Sequence, residues 1–401
     1  MVPGHYLINL VINLFSLIFS PVFIFLSNLF LIVKYRKFYP FSFSIALAIV
    51  YTYMPIQFDV VSNFSGYLRI IQVSQLYTGE FNLYRLTPAL LNDFSGTNYM
   101  FFVFVSVFIC VYIWSKILEF EISLCRSNLV FVLFLFSMLS LLLHRYIVDI
   151  NRTYLSISLF LIYYYRTIRD LKTSYFVVTV LFFASISIHI FSIVFWLACF
   201  SKIIKIKNNG LAFLIVSFSL VVSFYIFYTT DYLGLRTVSQ YYFTSGFGVV
   251  SDEVSLYSTV TRYIRLPILI LFSYLLFKYG RFDMVIAIVI IMSLLLFPFV
   301  TFGQRFYIAF LIICIPNLLT ILNSKKANRL TCVFVILLFF QFLIHFYAGF
   351  LMLREEYDVF NNQKEKLNIV SRPIYYPSVL LISHHYGYDD EMLSVHTSRG
   401  W

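Results

Sequence analysis

Residues 144–200 read HRYIVDINRTYLSISLFLIYYYRTIRDLKTSYFVVTVLFFASISIHIFSIVFWLACF. The stretch is mostly apolar, yet among its ionisable residues are His144, Arg145, Asp149, Arg152 and His189, which a lipid-facing helix would not normally carry. A charge inside a bilayer is costly, so such residues usually face a bundle interior or a water-filled cavity. The stretch therefore predicts membrane helices that enclose a positively charged pocket.

The composition of the whole chain agrees with a membrane protein. Of its 401 residues, 61% are hydrophobic and 12% are charged, and the mean hydropathy is +0.87. A soluble domain carries about a quarter charged residues. Apolar runs of about 20 residues recur, and each is long enough to cross a hydrocarbon core of about 30 Å. We expect an all-α, polytopic transmembrane helical bundle, and the apolar runs correspond to about 11–13 spans.

The net charge of +11 comes from basic residues that flank the apolar runs. This distribution is typical of the cytoplasmic ends of membrane helices, so no nucleic-acid partner is expected. No pair of cysteines has the spacing of metal ligands, so we expect no metal site and interpret the cysteines as small core residues. They are Cys110, Cys125, Cys199, Cys314 and Cys332.

The positive-inside rule predicts a topology with an external N-terminus. Two external, periplasmic loops follow at residues 58–97 and 230–265, and a polar tail at 353–401 is also periplasmic. Residues 1–352 would then form the integral membrane domain. The residues 303–305 are expected to form a short external turn, residues 116–126 a cytoplasmic turn, and Tyr163–Tyr165 an aromatic belt at the membrane interface.

The apolar run 174–204 is flanked by basic residues at both ends, which predicts that both ends are cytoplasmic. Two crossings or a re-entrant hairpin are then required, with the apex near His189. Irregular backbone at that depth is tolerated only against protein or a water-filled cavity. His189 would lie at the floor of an externally open pocket.

In this topology every basic residue on the outer side before the tail is an arginine. The guanidinium group is permanently charged and matches phosphate oxygens with two parallel donors. We interpret the pattern as a site for a phosphate-bearing ligand, although a chance distribution of topology signals remains the competing interpretation. The eight residues are Arg69, Arg85, Arg145, Arg152, Arg236, Arg262, Arg265 and Arg305.

Several of these residues lie in short motifs with a recognisable order. Asp59 is followed by Tyr67 after the second span, Asn151-Arg152 opens the fifth, His189-Ile-Phe-Ser192 comes later, and Arg305 opens a late span. In this order the chain, over roughly residues 40–325, resembles the EpsG-like branch of the Wzy-type polysaccharide polymerases.

The resemblance implies a multi-pass enzyme of the bacterial inner membrane that makes O-antigen or capsule. Such enzymes join oligosaccharide repeat units carried on undecaprenyl diphosphate at the periplasmic face, without metal or cofactor. Arg152, Arg305 and Arg145 would bind the diphosphate, and His189 or Asp59 would act as the base. The loops would hold sugars, with Tyr67, Arg236, Arg262 and Arg265 as candidates. Membrane lipid and a chain-length regulator are the further partners expected.

Two other classes compete with the polymerase. A lipid-linked oligosaccharide flippase shares the size and the basic charge, but should place cations at mid-depth and show two similar halves. An O-antigen ligase uses nearly the same chemistry with a different acceptor. A membrane O-acyltransferase is disfavoured because the chain lacks an early cytoplasmic pairing of histidine and arginine.

Overall fold

The computed structural model describes most of the apolar segments of the chain. The described residues are 11, 21–36, 39–52, 99–125, 130–132, 135, 147, 151–203, 222, 229, 263–279, 283–295, 300–323, 329–346, 354–358 and 363–367.

The described secondary structure is helical apart from one antiparallel pair of short strands, which confirms the predicted helical class. The helices are α1 (Pro21–Tyr35), α2 (Pro40–Thr52), α3 (Tyr99–Ser123), α4 (Asn151–Ile168), α5 (Tyr175–Ile188), α6 (Ile193–Ile203), α7 (Arg265–Lys278), α8 (Met284–Leu295), α9 (Val300–Asn323) and α10 (Arg329–Phe346). In the tail, strands β1 (Arg354–Asp358) and β2 (Gln363–Leu367) pair antiparallel, with Arg354 opposite Leu367. The sequence had predicted only a polar tail there.

Two of the described helices contain a segment long and apolar enough to cross a membrane, namely Val103–Ser123 in α3 and Gly303–Asn323 in α9. The other apolar helices are shorter, at 10–17 residues. The number of spans and the boundary at residue 352 therefore stay predictions.

The chain divides into two compact units. One comprises Met1–Arg69, Arg85–Asn151 and Phe342–Trp401, and the other comprises Ile70–Tyr84 and Arg152–Gln341. In the first unit α2 packs between α1 and α3. The buried side chains of Phe43 and Trp114 lie in its core, and Ser44 donates a hydrogen bond to the hydroxyl of Ser115 at 3.3 Å.

Helix α3 corrects the predicted cytoplasmic turn. It continues to Ser123, so Lys116, Glu119 and Glu121 are helical, and Glu121 is completely buried. The stretch contains no proline or glycine to end the helix, and Lys116 forms a 2.9 Å ion pair with Glu119 one turn later. Such pairs at a spacing of three support the helix they lie on.

Helix α9 is the central helix of the second unit, because 94% of its apolar segment is buried. It begins at Val300, so the predicted external turn at 303–305 is wrong. A single glycine costs a helix only about 1 kcal/mol, which is too little to interrupt an apolar segment of this length. Further along, Pro316 removes one backbone donor, and Thr320 donates a 2.9 Å hydrogen bond to its carbonyl.

A polar contact joins α4, α8 and α9. Tyr164 donates a hydrogen bond to Asp283 Oδ2 at 3.0 Å and accepts one from Asn317 at 3.4 Å. Asp283 also accepts from the Ile286 N–H, capping the start of α8. The predicted interfacial belt is therefore wrong, because Tyr163, Tyr164 and Tyr165 are all buried.

The prediction for the cysteines is confirmed at four positions, since only Cys332 is partly exposed among the five. Burial, together with the charge of Glu121, raises the pKa of the Cys125 thiol to about 11. The thiol therefore stays protonated and behaves as a small core group.

Candidate functional site

The apolar run 174–204 is broken at His189, as predicted from its flanking charges. Helix α5 ends at Ile188, His189 is extended with φ −154° and ψ 117°, and residues Ile190–Ser192 form a short 3-10 turn. Helix α6 follows directly from Ile193. The break therefore consists of one extended residue and one tight turn.

The chain bends at this break. Trp196 Nε1 on α6 donates a 2.7 Å hydrogen bond to the hydroxyl of Ser185 on α5, eleven residues earlier. In a straight helix these residues would lie about 16 Å apart along the axis. Trp196 also stacks on Tyr163 of α4, with ring centroids 5.3 Å apart. Trp196 therefore connects the bend to α4.

His189 uses both ring nitrogens at the bend. Its Nδ1 accepts a 3.1 Å hydrogen bond from the Phe191 N–H, and its Nε2 lies 3.4 Å from Nη1 of Arg305 on α9. The next residue of α9, Phe306, packs against Phe191 with ring centroids 4.5 Å apart. Two neighbouring residues of α9 thus contact the bend.

Arg152 is the third member of this group. It is the second residue of α4, whose first turn carries no acidic side chain, and it acts electrostatically on His189 together with Arg305. The positive end of a helix does not favour a cation, so local sequence preferences do not explain an arginine here. We call Arg152, His189 and Arg305 the His189 cluster.

The chemistry of the His189 cluster suits an anion. Arginine offers only donors, and a neutral histidine has one donor and one acceptor nitrogen. Because the His189 acceptor already receives the Phe191 N–H, its remaining nitrogen carries the proton and faces another donor, Arg305. An oxyanion would give both donors a shared partner, and oxyanion hydrogen bonds to charged donors are the stronger kind.

The other predicted site residues have different outcomes. Asp59, Tyr67, Arg145, Arg236 and Arg262 lie outside the described residues. Arg265 is described, and it does not lie in an external loop as predicted. It is the first residue of α7 and is buried, with its guanidinium carbon 5.4 Å from the centroid of the Tyr307 ring.

Four residues that hold the bend were missed by sequence reasoning: Ser185, Phe191, Trp196 and Phe306. Their types are ordinary in apolar helices, and each acts through a partner on another segment. The signal that could have pointed to Trp196 is its position about two helical turns after His189, the predicted apex.

Comparisons of the chain with models of protein families, with curated proteins and with solved structures find no match. The geometry of the His189 cluster and the motif resemblance are therefore the grounds for assigning a function.

Proposed function

We propose that this protein is a polymerase of undecaprenyl-diphosphate-linked oligosaccharide repeat units, in the bacterial inner membrane. The observation that carries the proposal is the convergence of Arg152, His189 and Arg305 from three separate segments of the second unit. These are the residues for which the resemblance to EpsG-like and Wzy-type polymerases implies a site.

The distribution of polar and apolar side chains supports a membrane location. Large apolar residues are exposed at helical spacing on α7 and on α10. On each of these helices they form an apolar stripe along one face. The stripe residues are Ile270, Tyr274 and Phe277 on α7, and Val333, Ile336, Phe340 and Leu343 on α10. Polar residues such as Ser156, Ser158 and Asn317 are instead buried. Apolar faces of this extent are stable against lipid chains and rare on soluble monomers.

The His189 cluster can stabilise the leaving group of a glycosyl transfer. An acceptor hydroxyl attacks the anomeric carbon of the donor repeat unit, the carbon–oxygen bond to the diphosphate breaks, and undecaprenyl diphosphate leaves with the bonding electrons. Arg152 and Arg305 bind the diphosphate oxygens, where the negative charge develops. Groups arranged in advance around a developing charge usually make the largest contribution to catalysis.

The sequence left open whether His189 or Asp59 is the base, and the hydrogen bonds of His189 favour Asp59. With Nδ1 engaged by the Phe191 N–H, a neutral His189 presents Nε2–H and donates to the diphosphate, and does not remove a proton there. The proton of the acceptor hydroxyl then goes to another base, and Asp59 is the candidate that the resemblance implies. His189 and Asp59 thus take separate roles in the proposed reaction.

The first prediction tests Arg305. Replacing it with alanine should lower the rate of polymerisation by about 100-fold, the usual effect of removing one group that stabilises developing charge. Arg305→Lys keeps the charge but loses the second parallel donor, so an intermediate rate is expected. The rate is measured with purified protein in vesicles that contain a lipid-linked repeat unit. Arg166→Lys, the same change at an exposed arginine of the same unit, is the control.

Cells that lack the gene separate the proposal from its alternatives. A polymerase defect leaves surface glycan with a single repeat unit, a flippase defect removes it, and a ligase defect strands polymer on the carrier lipid. The proposal fails if Arg305→Ala, expressed at the normal level, restores the full ladder of glycan lengths.

A further inference from the structure

Arg265 is a buried charged residue that the His189 cluster does not use. It is 9% exposed, and its Nε has no hydrogen-bond partner among the residues that the structure describes. In the described part of the second unit the carboxylates are Asp170, which is exposed, and Asp283, which binds Tyr164 and the Ile286 N–H. Neither of them forms an ion pair with Arg265.

A buried guanidinium without a counter-charge is unfavourable, because burial removes the solvation that stabilises its charge. The face of Tyr307, 5.4 Å away, offsets part of that cost through a cation–π interaction. A cation–π interaction supplies no acceptor atom, so the buried Nε–H of Arg265 still lacks an acceptor among the described residues.

Tyr307 contacts α10 directly and α7 through Phe310. Its hydroxyl donates a 2.6 Å hydrogen bond to Gln341 on α10, and its ring stacks on Phe310 of α9 at 5.9 Å. Phe310 in turn meets Phe272 of α7 edge-on, at 5.4 Å. Arg265 therefore rests on a rigid aromatic support, and rigid support is what a binding group requires.

Arg265 does not belong to the His189 cluster. It contacts α9 through Tyr307, whereas His189 contacts α9 through Arg305, two residues earlier. Residues two apart on an α-helix point about 200° away from each other. Arg305 therefore projects from a face of α9 nearly opposite to Tyr307, on which Arg265 lies, so one small anion is not expected to bind both arginines.

We propose that Arg265, supported by Tyr307, is a second oxyanion-binding site that takes a carboxylate or phosphate group. The planar fork of arginine binds either group through two parallel hydrogen bonds. The group is supplied by an anionic lipid headgroup or by an acidic substituent of a soluble sugar. This site does not depend on polymerase activity.

The test measures the unfolding temperature of the full chain in lipid nanodiscs. One arm compares phosphatidylglycerol with phosphatidylcholine, and the other titrates inorganic phosphate or glucuronate into phosphatidylcholine nanodiscs, with glucose as the neutral control. We expect a stabilising shift in at least one arm. In Arg265→Gln the shift should disappear or need at least about tenfold more ligand, as the loss of a bidentate charged contact implies.

Two further variants make the result specific. Lys278→Gln removes the same charge from an exposed position on the same helix and should keep the shift. Arg305→Gln should remove only that part of the phosphate-induced shift in unfolding temperature that comes from binding at the His189 cluster. If Arg265→Gln folds poorly, Arg265→Lys, which keeps the charge and loses the fork, should still bind more weakly.

The outcomes assign the source of the anion. A shift with phosphatidylglycerol alone identifies a lipid headgroup, and a shift with glucuronate or phosphate identifies a soluble acidic group. The proposal is overturned if the protein shows no shift in either arm, or if Arg265→Gln and Arg265→Lys respond as the unaltered protein does. No glycan transfer is measured, so a failure here is distinct from a failure of the proposed polymerase.

Discussion

The two ring nitrogens of His189 make different contacts. Nδ1 accepts the Phe191 N–H and so shapes the 3-10 turn, as an N-cap residue does. Nε2 faces Arg305, and in the proposed reaction it donates to the diphosphate. A substitution that preserves one nitrogen's hydrogen bond and removes the other's therefore distinguishes the local fold from the chemistry.

We predict that His189→Asn keeps the turn and loses the chemistry. The asparagine oxygen can accept from the N–H two residues on, as Nδ1 does, but nothing replaces Nε2. The polymerisation rate should fall about 100-fold, since one charge-stabilising donor is lost. The free energy of unfolding should change less than in His189→Ala, where the lost cap costs about 1 kcal/mol. Rates in vesicles and denaturant unfolding measure the two effects, and an unchanged rate in His189→Asn contradicts the proposed donor role.

The bend between α5 and α6 depends on Trp196 more than on the backbone at the break. One extended residue and a short turn do not by themselves stabilise a particular angle between α5 and α6. The Trp196–Ser185 hydrogen bond connects the two helices, and the stack of Trp196 on Tyr163 connects α6 to α4. The same bend brings His189 to Arg305. Loss of this contact should therefore weaken both the stability of the unit and the position of His189.

We predict that Trp196→Phe lowers the free energy of unfolding by about 1–2 kcal/mol more than Trp114→Phe does. Breaking a buried hydrogen bond costs about this amount. Trp114 is an apt control, because it is equally buried and its indole N–H has no hydrogen-bond partner. Denaturant unfolding in detergent provides the measurement. Equal losses in the two variants would show that the Ser185 bond contributes nothing.

The described part of the molecule exposes many large apolar side chains, and it buries several polar ones beside its apolar core. Buried Ser156, Ser158 and Asn317 find hydrogen-bond partners in the backbone of their own helices, at 2.7–3.3 Å. Backbone carbonyls within a helix are acceptors that remain available where water is absent. In the proposed membrane location, lipid chains would cover the exposed stripes on α7 and α10.

We predict that a cysteine at residue 270 is protected from a water-soluble thiol reagent in intact membranes. Ile270 is 63% exposed on the α7 stripe, and Leu171, at the turn after α4, is 45% exposed. In a Cys332→Ser background, Ile270→Cys should react only after denaturation, whereas Leu171→Cys should react at once. Equal reactivity of the two positions would argue against a lipid-covered stripe.

The helical class, the bounds of α4 and the break at His189 could be predicted because they follow from neighbouring residues. The length of an apolar run and the charges at its ends are local properties. They determine where a helix begins and ends without reference to the rest of the fold. The same reasoning failed at α3 and α9, where charged or small residues were read as turns. A helix continues through charged or small residues when no proline interrupts its backbone hydrogen bonds and neighbouring segments pack over these residues.

The contacts that make a site are of another kind. His189 and Arg305 are 116 residues apart, and Tyr307 receives Arg265 on the face of α9 that Arg305 does not use. A helix that is apolar all round gives no periodic signal for which face meets which neighbour. Those rotations are decided by the packing of side chains between helices, so the residue types could be named from the chain alone, while their partners followed only from the fold.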